Sequence, residues 1–324
     1  MVYISVRGRV WLEAEAANMV ESVGNYTKHR KIPIVVEENG RYVTYLVPSI
    51  SGESVAHVYQ SLLAKRLKES GEKVCKYCSQ SIFLKSTNYS ILKDEFEGIN
   101  ISSKEKLSEE EIEEIIIKNC AVEDIGGFLY AENKNVKRTS SFMAGYMIPV
   151  REALAATSVE PQLHSRYALG TQFVQAGQMI YYVELSSAVY TFSFDLSTDS
   201  IGKFTYSSER YMQKAISDES IKKRSCAAVS ALRDLLIEFP VGAKRSRFMP
   251  NSGWESLVIA VSDDVWTVPS PFVSTYINEA KEKAEKYSAN TKLYHYPGDK
   301  SSSVEAVSEA VKEARSRLGC SENI

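Results

Sequence analysis

The sequence predicts an α+β protein whose core follows the order strand, helix, two strands, helix, strand. Apolar and polar residues alternate from Ile4 to Val10, within residues 2–12, which predicts the first strand. A helical pattern that begins after Ser51 and a second one at residues 220–239 predict the two core helices. With 324 residues, of which 44% are hydrophobic and 25% charged, the chain has an ordinary globular composition and the length to bury a sizeable core.

The first part of the core is assigned to residues 1–69. Two β-prone runs at residues 32–36 and 41–47 flank an Asn-Gly pair, which is the pattern of a β-hairpin. The preceding stretch, residues 21–30, has a Gly-Asn turn and many hydrogen-bond donors. We therefore expect it to be a loop.

The rest of the chain is expected to divide into five parts. These are a helical insertion lobe at 70–125, core return strands at 126–150, a loop at 151–178, the second part of the core at 179–270 and a C-terminal helical tail at 271–324. A capping box predicts an acidic helix that begins at Ser108 in the lobe. Ser186 and Ser187 form either a kink or part of one long bent strand. In the tail we expect two charged helices separated by a turn around His295.

The resulting element order is that of an RNA-recognition-type or ferredoxin-like βαββαβ core. The sequence has no internal repeat, no phosphate-binding loop of the Gly-x-x-x-x-Gly-Lys-Ser/Thr type and no His-Glu-x-x-His motif. It also lacks the aromatic signature with which such sheets usually stack on bases. Any nucleic-acid contacts are therefore expected to come from loops, and no cofactor is expected.

Cations collect in short stretches although the formal net charge is only -2, so a locally basic groove on an acidic body is expected. The basic loop, residues 242–250, carries Lys244, Arg245 and Arg247 beside Phe248. Such a set can hold a phosphate chain and stack on a base. A basic turn between a helix and a strand can equally be solvated surface.

A second group of donors lies in the stretch before the predicted hairpin: Asn25, Lys28, His29 and Arg30. His29 is a candidate phosphate contact, and also a candidate general acid or base because an unperturbed imidazole titrates near neutrality. With no evident catalytic partner in the same loop, phosphate contact is favoured over catalysis, and a merely exposed histidine is the remaining alternative.

The start of the first core helix is a third candidate. A helix N-terminus has free backbone donors that can bind a phosphate, so Ser51 and Gly52 are candidate contacts; a plain N-cap explains them equally well. His57 lies further along the same helix, where a histidine is more often structural than a ligand.

Two further stretches combine cations with glycines or aromatics. Lys137, Arg138 and Thr139 either line a groove that follows a nucleic-acid backbone or belong to a surface hairpin. His164 and Arg166 lie in the long, poorly periodic loop, and such a loop is uncommon unless it is functional or mobile.

The cysteines do not predict a disulfide framework, because their number is five and they are scattered. Cys75 and Cys78 have the spacing of half a zinc site. The other half is missing from the sequence pattern, since Cys120, Cys226 and Cys320 are remote single residues. Two ordinary thiols and a metal pair both remain open.

The chain contains no apolar run near the roughly 18 residues that a membrane span needs, and its start lacks the pattern of a secretory signal. We expect a cytoplasmic protein that does not interact with membranes.

Several separated blocks together resemble one known family. The blocks are ESVGNYTKHR at 21–30, ISGESVAH at 50–57, GGFLY at 126–130 with KRT at 137–139, GYMIP at 145–149 and KRSRFMP at 244–250. They are similar to the backbone subunit of archaeal type I-A CRISPR effector complexes (Cascade), in the DevR-related branch of the repeat-associated mysterious protein superfamily. The resemblance runs from the first strand to about residue 261 and leaves the acidic insertion and the tail without a matching motif.

The resemblance implies a palm with a modified RNA-recognition fold, a helical insertion and a thumb-like loop at 151–178. It implies a non-catalytic scaffold whose copies stack head to tail as a helical filament along one CRISPR RNA, together with other Cascade subunits. The guide then pairs with target DNA, so the protein contacts are largely blind to sequence. The RNA contacts expected on this basis are Asn25, Lys28, His29, Arg30, Ser51, Gly52, His57, Lys137, Arg138, Thr139, His164, Arg166, Lys244, Arg245 and Arg247.

Two other functions stay open at this point. One is a CRISPR RNA-processing endonuclease of the same superfamily, with His29 or His164 as general acid or base and no metal. The other is a regulatory protein-interaction module in which the basic loops are solvent-exposed surface.

Overall fold

The structure is a computed structural model, and it describes residues 1–16, 19–103, 105–167, 178–242, 245–287 and 290–321. For residues 19–21, 166–167 and 178–179 it describes the backbone only.

The described chain is a mixture of helices and strands. The strands are β1 (Tyr3–Glu15), β2 (Met19–Val23), β3 (Tyr26–His29), β4 (Lys31–Glu38), β5 (Arg41–Pro48), β6 (Phe128–Ala131), β7 (Asn135–Arg138), β8 (Phe142–Ala144), β9 (Ser158–Tyr167), β10 (Gln178–Ser197), β11 (Asn251–Ser262) and β12 (Lys292–Tyr296). The helices are α1 (Gly52–Glu69), α2 (Tyr89–Glu95), α3 (Glu109–Asn119), α4 (Ala121–Gly126), α5 (Asp218–Glu238), α6 (Tyr276–Lys286) and α7 (Ser303–Arg317), with short 3₁₀ helices at Cys78–Gln80 and Arg151–Ala156.

One large sheet organises the chain. Its strand order is β12-β11-β1-β10-β3-β2, and β8 and β9 also pair with β10. The central strand β1 is antiparallel to both of its neighbours, β10 and β11. Two separate hairpins, β4–β5 and β6–β7, form their own two-stranded sheets.

Strand alternation separates the two faces of this sheet. Ile4 and Val6 of β1 face the main core, which α1, α5 and α7 cover with residues such as Leu63 and Leu232. On the opposite face a smaller apolar cluster around Trp266 packs against α6. The sheet is therefore buried on both sides along its central strands.

The insertion lobe is joined to the core by a buried ionic cluster around Asp124. The Asp124 carboxylate lies between two guanidinium groups, with Arg138 on one oxygen and Arg224 of α5 on the other at 2.9 Å. Glu72 pairs with Arg224 at 2.8 Å, and Gly202 N donates to Asp124 at 3.0 Å. Because every charge in this cluster has a partner, the attraction between the groups and their hydrogen bonds offset the cost of desolvating them.

Many sequence-based predictions of elements agree with the structure. Four elements lie within a few residues of their predicted positions. They are the first strand, the β4–β5 hairpin, the helix capped by Ser51 and the helix that precedes the basic loop. The capping box of Ser108 with Glu111 is also present. Residues 186 and 187 lie inside one continuous strand, β10.

Several predictions of elements were wrong. Residues 21–30 are not a loop, because β2 and β3 pair there as a hairpin. The long loop predicted at 151–178 contains a 3₁₀ helix and strand β9, which pairs with β10; residues 168–177 lie outside the described chain. His295 lies in β12 rather than in a turn. The sequence did not predict these strands because they pair with strands that are distant in the chain and have little alternation of apolar and polar residues.

The structure also has a disulfide that the sequence did not predict. Cys226 of α5 and Cys320, which follows α7, are bonded with their Cα atoms 6.0 Å apart. They are 94 residues apart in the sequence, and only the packing of α7 against α5 brings them together. None of the helices in the described ranges is both long and apolar enough to cross a bilayer.

Replacing Asp124 by Asn should lower the free energy of unfolding by about 3–5 kcal/mol, because two buried guanidinium groups would lose their shared carboxylate. Asp199→Asn is the matched control, since the side chain of Asp199 is 43% exposed and its ion-pair partner among the described residues is Lys203; we expect a change below about 1 kcal/mol there. Urea unfolding of both variants measures the difference. Equal effects of the two substitutions would contradict the structural role of the Asp124 cluster.

Candidate nucleic-acid interface

The candidate site is built on the first half of β10, which extends beyond the end of β1. Strand β1 pairs with β10 only from residue 186 onwards. The preceding part, residues 178–185, pairs with β9 along its length and with β3 at Tyr182 and Val183. We call residues 178–185 the β10 extension. Side chains alternate along it, so Tyr181 and Tyr182 point to opposite faces.

An aromatic cluster occupies the Tyr181 face of the extension. The rings of His164 and Tyr181 are stacked with centroids 5.4 Å apart, and His164 also meets Phe248 edge-on at 5.1 Å. Arg247 Nη1 donates to the Tyr181 hydroxyl at 3.3 Å. The basic loop therefore lies against the β9–β10 pair, and it brings an exposed guanidinium next to three rings.

The path of the basic loop is fixed at its start by Gly242. This residue has φ +122°, and a Cβ atom here would lie 2.6 Å from Oε2 of Glu15 at the end of β1. Only glycine accommodates both the backbone conformation and this close approach. Arg245 is half-buried and donates to the carbonyl of Phe239 at 3.2 Å, so part of its hydrogen-bonding capacity serves the end of α5. Lys244 lies outside the described residues.

The other face of the extension is organised around the buried carboxylate of Glu184. It accepts hydrogen bonds from His29 N at 2.8 Å and the Tyr26 hydroxyl at 3.1 Å, and Lys31 lies 3.5 Å away. Burial raises the pKa of Glu184, but the hydrogen bonds and the charge of Lys31 outweigh it and hold the pKa below its ordinary value. Tyr26 also stacks on Tyr182 at 6.0 Å. These contacts fix the β2–β3 hairpin to β10.

The prediction that His29 contacts RNA needs correction. Its side chain is buried, and Nε2 is hydrogen-bonded to the carbonyl oxygen of Glu184. Burial lowers the pKa of His29, so the ring is neutral at neutral pH. A buried neutral imidazole cannot reach a phosphate, and it serves instead to hold β3 against β10.

The neighbours of His29 are more accessible. Lys28 is exposed, and among the side chains that the structure describes none forms an ion pair with it. Asn25 is exposed and donates through Nδ2 to the carbonyl of Ile180 at 3.0 Å. Arg30 is half-buried and donates to the Tyr146 hydroxyl at 3.2 Å. Lys28 is therefore the cation of this hairpin that is best placed for an outside ligand.

Ser51 and Gly52 also need correction, because both are buried. The Ser51 hydroxyl accepts from Ser54 N at 3.3 Å, which is the ordinary N-cap contact. A Cβ atom on Gly52 would lie 2.2 Å from the carbonyl oxygen of Ala144. The helix N-terminus is thus packed against the backbone of β8 and leaves no room for a phosphate.

Apart from Arg166, which lies in β9 opposite Met179, the remaining predicted contacts lie outside the β10 extension and its neighbouring strands. Arg138 is corrected, since its side chain is fully buried and binds Asp124 and the carbonyl oxygens of Ser200 and Lys203. Lys137 and Thr139 are exposed next to it, in and after β7. His57 is exposed on α1 and meets Phe83 edge-on. The side chain of Arg166 is not among those described.

Residues that the sequence did not single out complete the site. Tyr181 on one face and Tyr26, Tyr182 and Glu184 on the other make most of the contacts that shape the extension. The adjacent residues Tyr181 and Tyr182 were assigned from the sequence to a strand at 179–185. Which face each ring takes depends on the pairing of β10, and that pairing was not predicted.

Comparison with known proteins gives consistent matches. The family described as CRISPR-associated negative auto-regulator DevR/Csa2 matches residues 6–281. The chain is 37% identical over 261 residues to the CRISPR-associated aCascade subunit Cas7/Csa2 2 of Saccharolobus solfataricus, covering 80% of this chain and 79% of the relative. It is 33% identical over 272 residues to CRISPR-associated protein Cas7/Csa2 1 of the same organism, covering 83% and 81%.

A solved structure shares the fold. A chain of a CRISPR RNA-guided surveillance complex, pre-nicking, aligns with a TM-score of 0.50 at 10% sequence identity, covering 96% of this chain and 99% of that chain. At this identity the match concerns the fold alone.

The buried state of His29 predicts a pH effect. Its pKa is lowered in the folded protein, so below about pH 6.5 the unfolded chain takes up a proton first and stability falls as the pH decreases. His29→Gln should remove this part of the acid destabilisation, since glutamine does not titrate. Urea unfolding at pH 7.5 and 5.5 measures it, with the exposed His57→Gln as control. A loss of stability between the two pH values that is the same in His29→Gln and wild type would contradict the buried neutral ring.

Proposed function

The chain belongs to the CRISPR-associated DevR/Csa2 family, and on that basis we propose that it is a non-catalytic, CRISPR RNA-binding backbone subunit of a Cascade complex. Two relatives above 30% identity carry the name Cas7/Csa2, and one of them is described as an aCascade subunit. The single observation in the structure that best supports RNA binding is the meeting of the basic loop with the aromatic cluster on the β10 extension.

We further propose that the core is a modified RNA-recognition fold. Taken in sequence, β1, α1, β8, β10, α5 and β11 give the order βαββαβ. In space the strands lie in the order β11-β1-β10-β8, with β1 between the third and fourth strands. Both helices contribute to the core on the same face of the sheet. This arrangement is the one expected of a ferredoxin-like unit.

In the proposed complex, exposed cations hold the RNA backbone and rings contact its bases. Arg247 supplies a guanidinium for a phosphate, and Phe248, His164 and Tyr181 supply apolar faces beside it. Lys28 approaches from the β2–β3 hairpin on the other edge of β10. Other proposed contacts are Asn25, Arg30, His57, Lys137, Thr139, Arg166, Lys244 and Arg245.

Such contacts bind RNA of any sequence, which is the property that a guide scaffold needs. Successive copies along one guide would form a head-to-tail filament, since a repeated heterologous contact extends as an open helix when its rotation does not close a ring. Base pairing by the guide would then select the target DNA, which this protein would meet only through the guide and alongside other Cascade subunits.

Arg247→Ala and Lys28→Ala should each weaken binding to guide RNA across all sequences and reduce the salt dependence, the slope of log K against log salt, by about one unit. Lys281→Ala is the matched control, because Lys281 is exposed on α6, which packs against the β12 edge of the sheet. Fluorescence anisotropy with labelled repeat-containing RNA at several salt concentrations measures all four proteins.

The same samples separate the proposal from its alternatives. RNA that remains intact during incubation with and without EDTA agrees with a scaffold, whereas site-specific cleavage that His164→Ala abolishes would identify an endonuclease. Wild-type protein that purifies without RNA, and whose weak affinity is unchanged by Arg247→Ala, would instead favour a regulatory module.

Phe248→Ala should weaken RNA binding by about 1–3 kcal/mol, roughly 5- to 150-fold, because a ring that stacks on a base would be lost. Phe248→Tyr retains the ring and should bind within a few fold of wild type. The anisotropy assay above measures both, at one fixed salt concentration. If Phe248→Ala bound like wild type while Arg247→Ala did not, the loop would act through charge alone and the stacking role would be wrong.

A further inference from the structure

Four metal-binding side chains converge at the base of the insertion lobe. The donor atoms of Cys75, Cys78, Cys120 and Glu123 all lie within 4.8 Å of one another, and all four residues are buried. The three cysteines are free thiols. The first two follow α1, Cys120 lies between α3 and α4, and Glu123 is in the first turn of α4.

We propose that these four residues bind one Zn²⁺ ion in a tetrahedral site. Zinc-to-sulfur distances of about 2.3 Å place the donors of a tetrahedral site roughly 3.7 Å apart, so small side-chain movements would suffice here. Cys75 and Cys78 have the two-residue spacing of zinc knuckles, and closed sites of three cysteines and one further ligand are typical of structural zinc. The sequence showed only half of this set, because Cys120 is brought in by the fold.

The surroundings orient the donors towards a common centre. Cys78 N donates to Cys75 Sγ at 3.4 Å, a contact that stabilises a thiolate and fixes the turn between the two ligands. One oxygen of Glu123 accepts from the Ser86 hydroxyl at 2.7 Å. The other oxygen lies 3.7 Å from Cys75 Sγ and 3.9 Å from Cys78 Sγ. The carboxylate is thus held by Ser86 and presents its free edge to the thiols.

The charges at this place also favour a cation. Glu123 is fully buried, and a carboxyl oxygen of a second buried acid, Glu95, lies 2.7 Å from the same Ser86 oxygen, whose single proton serves only one of the two. The ammonium of Lys85 interacts electrostatically with Glu123 but donates its hydrogen bonds to Gln60 and Gly126. Thiols are weak donors and solvate a buried carboxylate poorly. A divalent ion would balance the negative charges of its ligands, and the thiol protons would go to solvent on binding.

The proposed ion would close the lobe at its base. The segment that leaves α1 and the segment between α3 and α4 already meet through a hydrogen bond from Ala121 N to the carbonyl of Lys73 at 2.8 Å. A metal bound across the same two segments would fix both ends of the insertion. The inference is independent of the RNA-binding proposal, since none of the four ligands belongs to the candidate interface.

Metal analysis of the full-length protein tests this inference. Protein purified without added metal and dialysed against metal-free buffer should contain about one zinc per chain by inductively coupled plasma mass spectrometry. Cys120→Ser should lower the content at least tenfold, and Glu123→Gln should weaken zinc retention in competition with a chromogenic chelator. The double variant Cys226→Ser, Cys320→Ser removes the disulfide cysteines and should keep the full zinc content.

A second measurement covers the case in which Cys120→Ser does not fold. Wild-type protein freed of metal and then titrated with Co²⁺ should develop thiolate-to-cobalt charge transfer and the intense visible bands of tetrahedral cobalt, at one equivalent. Two results would overturn the proposal: wild-type protein that holds no zinc and gives no such spectrum, or a disulfide between Cys75 and Cys78 in peptides mapped without reduction.

Discussion

The antiparallel pairing of β1 with β10 on one edge and β11 on the other is the constraint on which the rest of the structure depends. Its alternation places Ile4 and Val6 under the helices. The same alternation turns Arg7 to the opposite face, where it meets Asp195 of β10 at 2.8 Å. A slip of one residue would exchange the two faces, so burial and this ion pair both hold the register. The register in turn decides how much of β10 extends beyond β1.

That extension turns a structural strand into a surface for binding. Where β10 extends beyond β1, both of its edges are open to pairing with other strands. Here β9 and β3 pair with them. One face is then closed by the Glu184 contacts, which make it rigid. The other face carries His164 and Tyr181 against the basic loop. One face of the extension is thus rigid and the other is accessible. A site with these two properties can bind a flexible ligand without changing its own conformation.

The sequence predicted those parts whose signal is local. The alternation of β1, the Asn-Gly hairpin and the apolar spacing of α5 depend only on neighbouring residues, and they were found. Strand β9 was missed because its exposed, polar residues have no apolar period and acquire strand structure by pairing with β10. Arg138 was misread as a surface cation, since nothing next to it in the sequence reveals Asp124 as its partner.

The positions of the cations in the structure show why positively charged residues in a sequence do not by themselves identify a binding interface. Arg7, Arg138 and Arg224 are paired with buried carboxylates, so they stabilise the fold and add nothing to the field that an approaching RNA meets. A cation serves binding when it is exposed, lies beside a ring and has no carboxylate partner, and Arg247 meets these conditions among the side chains that the structure describes. By this criterion the basic loop is informative because of Phe248 and the β10 extension beside it. Positive charge alone would not distinguish Arg247 of this loop, which is available for binding, from Arg138, which is buried in an ion pair.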